Sequence, residues 1–208
     1  MSFIKYLVDE INEARTDPSV YAVKVIKYTA YFDENILKNP DTKCEIETIE
    51  GAAAYEECAD YLGKLELALD AVEPSKGLTK VANDFLNEAL KLEPSEFRTI
   101  DTQKILLKYG NFLGKFVKLI ELGGTTPEEV VVNLLVGDGE KSRYQREALL
   151  NPKLIKIGIA SGEHEYGNLT IIILSTDFKN YVDADDTEDY EGPNAGPAYN
   201  PKFGDGDK

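Results

Sequence analysis

The chain has 208 residues, of which 42% are apolar, enough for one domain with a substantial core and too few for two large ones. Its formal net charge is -15 at pH 7. Nucleic acids and anionic membrane surfaces attract proteins through clustered Lys and Arg, so this charge argues against both as partners. The expected partners are other proteins, or a basic surface.

The amino-terminal sequence predicts an intracellular, cytoplasmic protein. Asp9, Glu10 and Glu13 interrupt the apolar run that a signal peptide needs. No window contains the roughly eighteen uninterrupted apolar residues of a membrane span. Cys44 and Cys58 are the only cysteines, whereas small secreted domains are often rich in disulfides. Two free thiols are favoured, and a single bridge between them is left open.

Apolar spacing predicts helices through the first half of the chain. We expect an amphipathic helix from about Ser2 to Arg15 and a second between Val20 and Phe32, followed by a loop from Asn35 to Thr48. Small and apolar residues favour a third helix between Gly51 and Leu69. The clearest helical periodicity runs from Leu78 to Ala89.

The second half of the chain combines short helices with strands. Thr126 precedes Pro127 and two glutamates, an arrangement typical of a capped helix amino terminus. The predicted elements are, in order, a helix around Ile105 to Tyr109, a strand at Lys115 to Leu122, a helix through Val130 to Val136, a short helix at Ser142 to Leu150, and closing strands at Ile155 to Ser161 and Leu169 to Thr176.

The predicted domain ends at Phe178, and residues 179–208 form an acidic tail rich in Pro and Gly. This composition predicts no regular structure. Three aromatic residues in the tail, Tyr190, Tyr199 and Phe203, are candidate anchors for a partner's groove, because aromatic side chains bury a large area for few rotatable bonds. The simpler interpretation, a solubilising acidic tail, is left open.

Two stretches resemble the CAP superfamily, which comprises the SCP or PR-1-like domains. The first matches the family's opening I-N-x-x-R, and the second, from Asp138 to Phe178, matches its closing motif. The resemblance extends over roughly Ile4 to Phe178 and implies an α+β fold, a three-layer α-β-α sandwich with a small antiparallel sheet. The matching residues are Ile11, Asn12 and Arg15 in the first stretch, and Arg143, Arg146, Leu149, Leu150, Asn151 and Pro152 in the second.

The same resemblance implies that the family's cleft chemistry has been lost. Active-looking CAP domains carry two histidines and two acids that can hold a divalent metal or perform acid–base chemistry. In this chain Gln145 replaces the second histidine, Lys118 aligns with one acid, and the first histidine has no counterpart. Asp138 is the nearest candidate for the other acid and is expected to be a solvated turn residue. We therefore expect no catalytic residues, no metal and no cofactor.

Other chemical motifs are weak in this sequence. His164 is the only histidine, and we expect it to be solvated in a hairpin loop between Glu163 and Glu165. A lone histidine is weak evidence for a metal site. No G-x-S-x-G sequence supplies a nucleophilic serine, and Gly137 and Gly139 are too close together for a phosphate-binding loop.

These observations predict a non-catalytic CAP-domain protein that acts as a protein-binding or structural subunit. Its acidic tail would dock on a partner within a larger assembly, such as a cytoskeletal or axonemal one. Two alternatives remain open at this point. One is a lipid-binding, sterol-binding or secreted CAP protein, and the other is a metal-dependent hydrolase with an unrecognised site around His164.

Overall fold

Residues 3–43, 45–65, 68–112 and 114–181 are described by the computed structural model. They form a mixture of helices and strands that confirms the predicted α+β class. The chain divides into two compact units. The first contains the described residues within 1–72 and 123–152, and the second contains those within 73–122 and 153–208.

The helices in the described residues are α1 (Phe3–Thr16), α2 (Pro18–Lys27), α3 (Ala52–Gly63), α4 (Lys76–Ala89), α5 (Thr102–Tyr109), α6 (Pro127–Val136) and α7 (Tyr144–Leu149). The strands are β1 (Phe32–Asp33), β2 (Ile36–Lys38), β3 (Glu45–Glu47), β4 (Glu73–Pro74), β5 (Gly110–Phe112), β6 (Phe116–Leu122), β7 (Lys156–His164), β8 (Gly167–Ser175) and β9 (Phe178–Asn180). Each helix and strand predicted from periodicity is present, with shifted ends.

Helices α1, α2, α3, α6 and α7 belong to the first unit, where α6 packs against α1, α3 and α7. The predicted cap of α6 is confirmed: the Thr126 hydroxyl accepts a hydrogen bond from the Glu129 N–H at 3.1 Å, and Glu129 bonds back to the Thr126 N–H at 3.2 Å. Gly137 ends α6 in the left-handed conformation, at φ 56°. These two signals fix the helix at both ends despite its β-branched content.

The predicted loop from Asn35 to Thr48 was wrong, because this region contains most of a small antiparallel sheet in the order β1-β2-β3. Leu37 is its buried apolar residue, and it lies opposite Ile46. Strands of two or three residues give little periodicity in a sequence, and their pairing is what stabilises them.

The second unit is built on a four-stranded sheet in the order β4-β7-β8-β6. β7, β8 and β6 are antiparallel, as expected, while the short β4 pairs with β7 in parallel. Helix α4 packs on β7 and β8. The contact is closest at Gly158, where an added Cβ atom would lie 2.0 Å from the Leu78 carbonyl carbon.

Strand β9 holds the end of the described chain in the second unit. It pairs with β5, and the Asn180 Oδ1 accepts hydrogen bonds from the Ser75 hydroxyl at 2.8 Å and the Gly77 N–H at 2.7 Å. Asn180 therefore adds a side-chain acceptor at the amino terminus of α4. The strand includes the first two residues of the predicted tail, whose boundary with the domain remains a prediction.

Candidate functional site

Arg146 is almost completely buried in the first unit and links three helices. Its Nε donates to the Leu135 carbonyl oxygen at 2.6 Å, near the carboxyl end of α6. Its Nη1 and Nη2 atoms bind the two carboxylate oxygens of Glu57 on α3 at 2.7 and 2.6 Å. This bidentate pair holds the pKa of Glu57 below its usual range. The guanidinium also lies 4.9 Å from the ring centre of Tyr61.

Arg143 fastens the turn before α7 to the segment before α3. It has a positive φ of 49°, and its guanidinium binds both carboxylate oxygens of Glu50 at 2.7 and 2.8 Å. Glu50 also accepts the Gly139 N–H at 2.8 Å. The bonds from Arg143 and the Gly139 N–H lower the pKa of Glu50 to about 2. Arg143 donates a further bond to the Gly137 carbonyl at 2.7 Å.

Asp138 has a structural role that the sequence did not predict. Its carboxylate accepts hydrogen bonds from the backbone N–H groups of Ile49 and Glu50, at 2.6 and 2.8 Å. Asp138 does lie in a turn, as predicted, but it is half-buried and its carboxylate is occupied by these backbone groups. Together with the pair of Glu50 and Arg143, Asp138 joins the two segments by four hydrogen bonds between side chains and backbone or between side chains.

Arg15 brings the opening and closing motifs together. It is fully buried, and its Nη1 donates to the carbonyl oxygens of Leu149 at 2.5 Å and Asn151 at 3.2 Å. Its Nε donates to the Asp70 carbonyl at 3.0 Å. Burial lowers the pKa of Arg15. Arg15 thus supplies donors at the carboxyl end of α7, where helix carbonyls lack partners.

The remaining motif residues occupy backbone positions near this arginine. Asn151 contributes its carbonyl oxygen to Arg15, and Pro152 follows it on the surface of the first unit. Asn12, in the opening motif, holds the Val72 backbone through both its amide oxygen, at 2.7 Å, and its amide nitrogen, at 3.4 Å. The motif residues that make polar contacts here do so mainly with backbone groups.

The two predicted remnants of the cleft, Gln145 and Lys118, belong to different units. Gln145 lies in α7 between the two motif arginines, and its partly buried side chain has an Oε1 atom without a hydrogen-bond partner among the described residues. Lys118 lies on β6, with its Nζ 4.8 Å from the ring centre of Phe85 on α4. A glutamine amide does not exchange protons near neutral pH, so Gln145 cannot act as a general base.

His164 is not the solvated loop residue that we predicted. It is the last residue of β7, partly buried, with Nε2 donating to the Leu92 carbonyl at 3.0 Å and Nδ1 accepting the Tyr166 N–H at 3.2 Å. Its ring stacks on Tyr166 and meets Phe97 edge to face. Both ring nitrogens are thereby used in hydrogen bonds within the second unit.

Metal-ligating side chains and thiols are the other candidates for a reactive site. They contain no cluster of three or more His, Cys, Asp or Glu side chains arranged to hold a metal ion. Cys58 is a free, buried thiol whose pKa is raised to about 11 by burial. Cys44 lies outside the described residues, as do the three predicted tail anchors Tyr190, Tyr199 and Phe203.

The functional residues that sequence reasoning missed are the acids Glu50, Glu57 and Asp138 in their pairing roles. Each lies about ninety residues from its partner in the chain: Glu50 from Arg143, Glu57 from Arg146, and Asp138 from the N–H groups of Ile49 and Glu50, so neighbouring sequence carries no signal for the pairing. The available signal was indirect. Arginines in a motif that is expected to be buried require acids or carbonyls as partners.

Searches against known proteins give structural similarity alone. No protein-family model matches the sequence, and no curated protein is significantly similar to it. One similar solved structure is a cysteine-rich secretory protein from Staphylococcus aureus, with 15% identity and a TM-score of 0.37 over 60% of this chain. Another is an outer surface protein from Borrelia burgdorferi, with 22% identity and a TM-score of 0.38 over 59% of this chain.

This chain covers 38% of the staphylococcal chain and 89% of the Borrelia chain. Because both TM-scores are low, the CAP resemblance continues to rest on the sequence motifs. Among the described residues, no helix is both long enough and apolar enough to cross a membrane.

Proposed function

We propose that this chain is a non-catalytic CAP-like module that binds a protein partner, with its acidic tail docking on that partner. The supporting observation is how the motif residues are used. Arg15, Arg143 and Arg146 donate hydrogen bonds to backbone carbonyls and to two carboxylates of the same unit. These contacts hold a scaffold together, and such a scaffold is suited to binding.

The ionisable groups near the motif are also poorly suited to acid–base catalysis. A general acid or base needs a pKa near the working pH and a proton that a substrate can reach. Gln145 does not titrate, and the pKa of Glu50 is far below neutral pH. In the second unit, both nitrogens of His164 are hydrogen bonded to backbone groups.

The tail supplies the chemistry of the proposed contact. Six acids fall between residues 183 and 191, and Tyr190, Tyr199 and Phe203 are spaced along the Pro- and Gly-containing sequence. Acidic side chains would steer the tail to a basic surface, and the aromatic side chains would anchor it. An assembly such as the cytoskeleton or an axoneme is the setting that we propose for this partner.

The test is affinity capture with the full-length chain and with a triple variant, Y190S/Y199S/F203S. We expect the variant to lose specific partners that the unaltered chain retains. The matched control is Tyr6→Ser, which removes an exposed aromatic side chain from α1 and should leave capture unchanged. An identical set of captured proteins from all three would contradict the docking role of the tail.

A calorimetric zinc titration separates this function from metal-dependent hydrolysis. We expect no stoichiometric binding by the full-length protein. Tight 1:1 binding that disappears in His164→Asn would contradict the proposal and favour a metalloenzyme.

A further inference from the structure

Strand β3 forms one edge of the small sheet in the first unit. The strand order is β1-β2-β3, and all three residues of β3 are exposed. β3 pairs with β2 in the register Lys38 to Glu45, Leu37 to Ile46 and Ile36 to Glu47. Its other side has no paired strand among the described residues.

The register determines which backbone groups of β3 point outward. The Thr48 N–H donates to the Asn35 carbonyl at 2.9 Å, so these two residues form a hydrogen-bonded pair. Pairs alternate along an antiparallel ladder, and therefore Ile46 also bonds toward β2. The N–H and C=O groups of Glu45 and Glu47 consequently point away from β2, and they have no partner in the described part of the chain.

The side chains of β3 alternate between acidic and apolar, and between the two faces of the sheet. Glu45 and Glu47 lie on one face of the sheet, next to their paired residues Lys38 and Ile36 on β2. Ile46 lies on the other face, beside the buried Leu37. Ile46 is itself 38% exposed. An incoming strand would therefore meet acid, apolar and acid positions in turn.

The surroundings of this edge are acidic. Residues 32–47 contain five acidic and two basic side chains. One of the two, Lys38, already forms an ion pair with Asp33 at 2.7 Å. A second copy of this edge would place glutamates against glutamates, which is unfavourable. Charge complementarity therefore favours a basic partner and disfavours self-association.

We propose that β3 is a docking edge for an extended segment of a partner protein in which basic and apolar residues alternate. The backbone of that segment pairs with Glu45 and Glu47. Its Lys or Arg side chains lie beside the two glutamates, and an aliphatic side chain between them lies beside Ile46. This inference rests on the proposed binding function and gives the chemistry of a partner, at a part of the chain other than the tail.

The test uses full-length protein and three short peptides with blocked ends, followed by NMR shifts of backbone amides. The first peptide is Lys-Val-Lys-Val-Lys, the second is Glu-Val-Glu-Val-Glu, and the third is the lysine peptide with N-methyl groups on the amides that would face β3. We expect saturable shifts at Glu45 and Glu47 with the first peptide. This peptide should bind at least about fivefold more tightly than the other two. The glutamate peptide turns two attractive charge pairs into repulsive ones, and the N-methylated peptide loses two backbone hydrogen bonds.

A charge-reversed variant, E45K/E47K, is the matched control. Both side chains are exposed, so the variant should fold, and the dispersion of its NMR spectrum checks this. It should prefer the glutamate peptide to the lysine peptide. Absence of saturable shifts at β3, or equal binding of the N-methylated peptide, would overturn the proposal. Because these measurements use no tail variant, they fail or succeed independently of the tail-docking test.

Discussion

Replacing Arg15 by Lys tests whether the opening and closing motifs are joined by a guanidinium. The substitution keeps the positive charge and most of the buried length, but it removes the fork that reaches three carbonyls. A lysine ammonium lacks that fork and reaches fewer of these carbonyls, so we expect two of them, which take part in buried or partly buried hydrogen bonds, to lose their donor. Each unsatisfied group costs about 1–3 kcal/mol, so we expect a loss of roughly 3 kcal/mol in the free energy of unfolding.

Thermal unfolding followed by circular dichroism measures this loss. For a chain of this size, about 3 kcal/mol corresponds to a fall in Tm of about 9 °C. The matched control is Arg98→Lys, at an exposed arginine in the second unit, which should change stability by less than about 0.5 kcal/mol. Equal Tm values for the two variants would refute the structural role that we assign to Arg15.

Three further predictions follow from packing and ionisation. Gly158→Ala forces a Cβ atom into the α4 backbone and should lower the free energy of unfolding, measured in urea, by about 3 kcal/mol. The control is Gly162→Ala on the same strand, where the added Cβ meets only movable leucine side chains and should cost less than about 1 kcal/mol. Cys58 should resist a thiol reagent at pH 8 in the native protein and react in denaturant, because its pKa is raised to about 11; rapid native labelling would contradict its burial. The folded-state pKa of Glu50 is depressed to about 2, so its stabilising contribution is present above its unfolded pKa and is lost as pH falls toward 2. Glu50→Gln should therefore weaken the dependence of the free energy of unfolding on pH in this range. An unchanged dependence would contradict the ion pair.

Local signals predicted the helices well. α4 is an example, because its apolar residues recur at helical spacing and every one of them is buried on the same side. α6 is another, since Thr126 and Pro127 predicted its amino end, and Gly137, which ends the helix in the structure, is a further local signal that was not used. Such signals lie within a few residues of the structure that they specify, and one sequence is sufficient to read them.

The sequence did not reveal features that depend on pairing between residues far apart in the chain. The strands from Phe32 to Glu47 are too short to show alternation, and β9 forms a strand by pairing with β5, about seventy residues earlier. His164 was misplaced for a similar reason. Its partner carbonyl belongs to Leu92, and the hairpin is tighter than its sequence suggests, with only two residues between β7 and β8. Long-range contacts of this kind leave no local periodicity.

A histidine at position 145, which the CAP resemblance implies for the family, would be compatible with the same scaffold contacts. Arg143 and Arg146 bind Glu50, Glu57 and backbone carbonyls, and none of these bonds is made to Gln145, the residue between them. The scaffold contacts are therefore separable from the side chain at position 145. Either a histidine or an amide at position 145 would allow these ion pairs to persist. When these ion pairs persist, the surfaces of the unit keep their shape. Binding at those surfaces is a function that requires no reactive group.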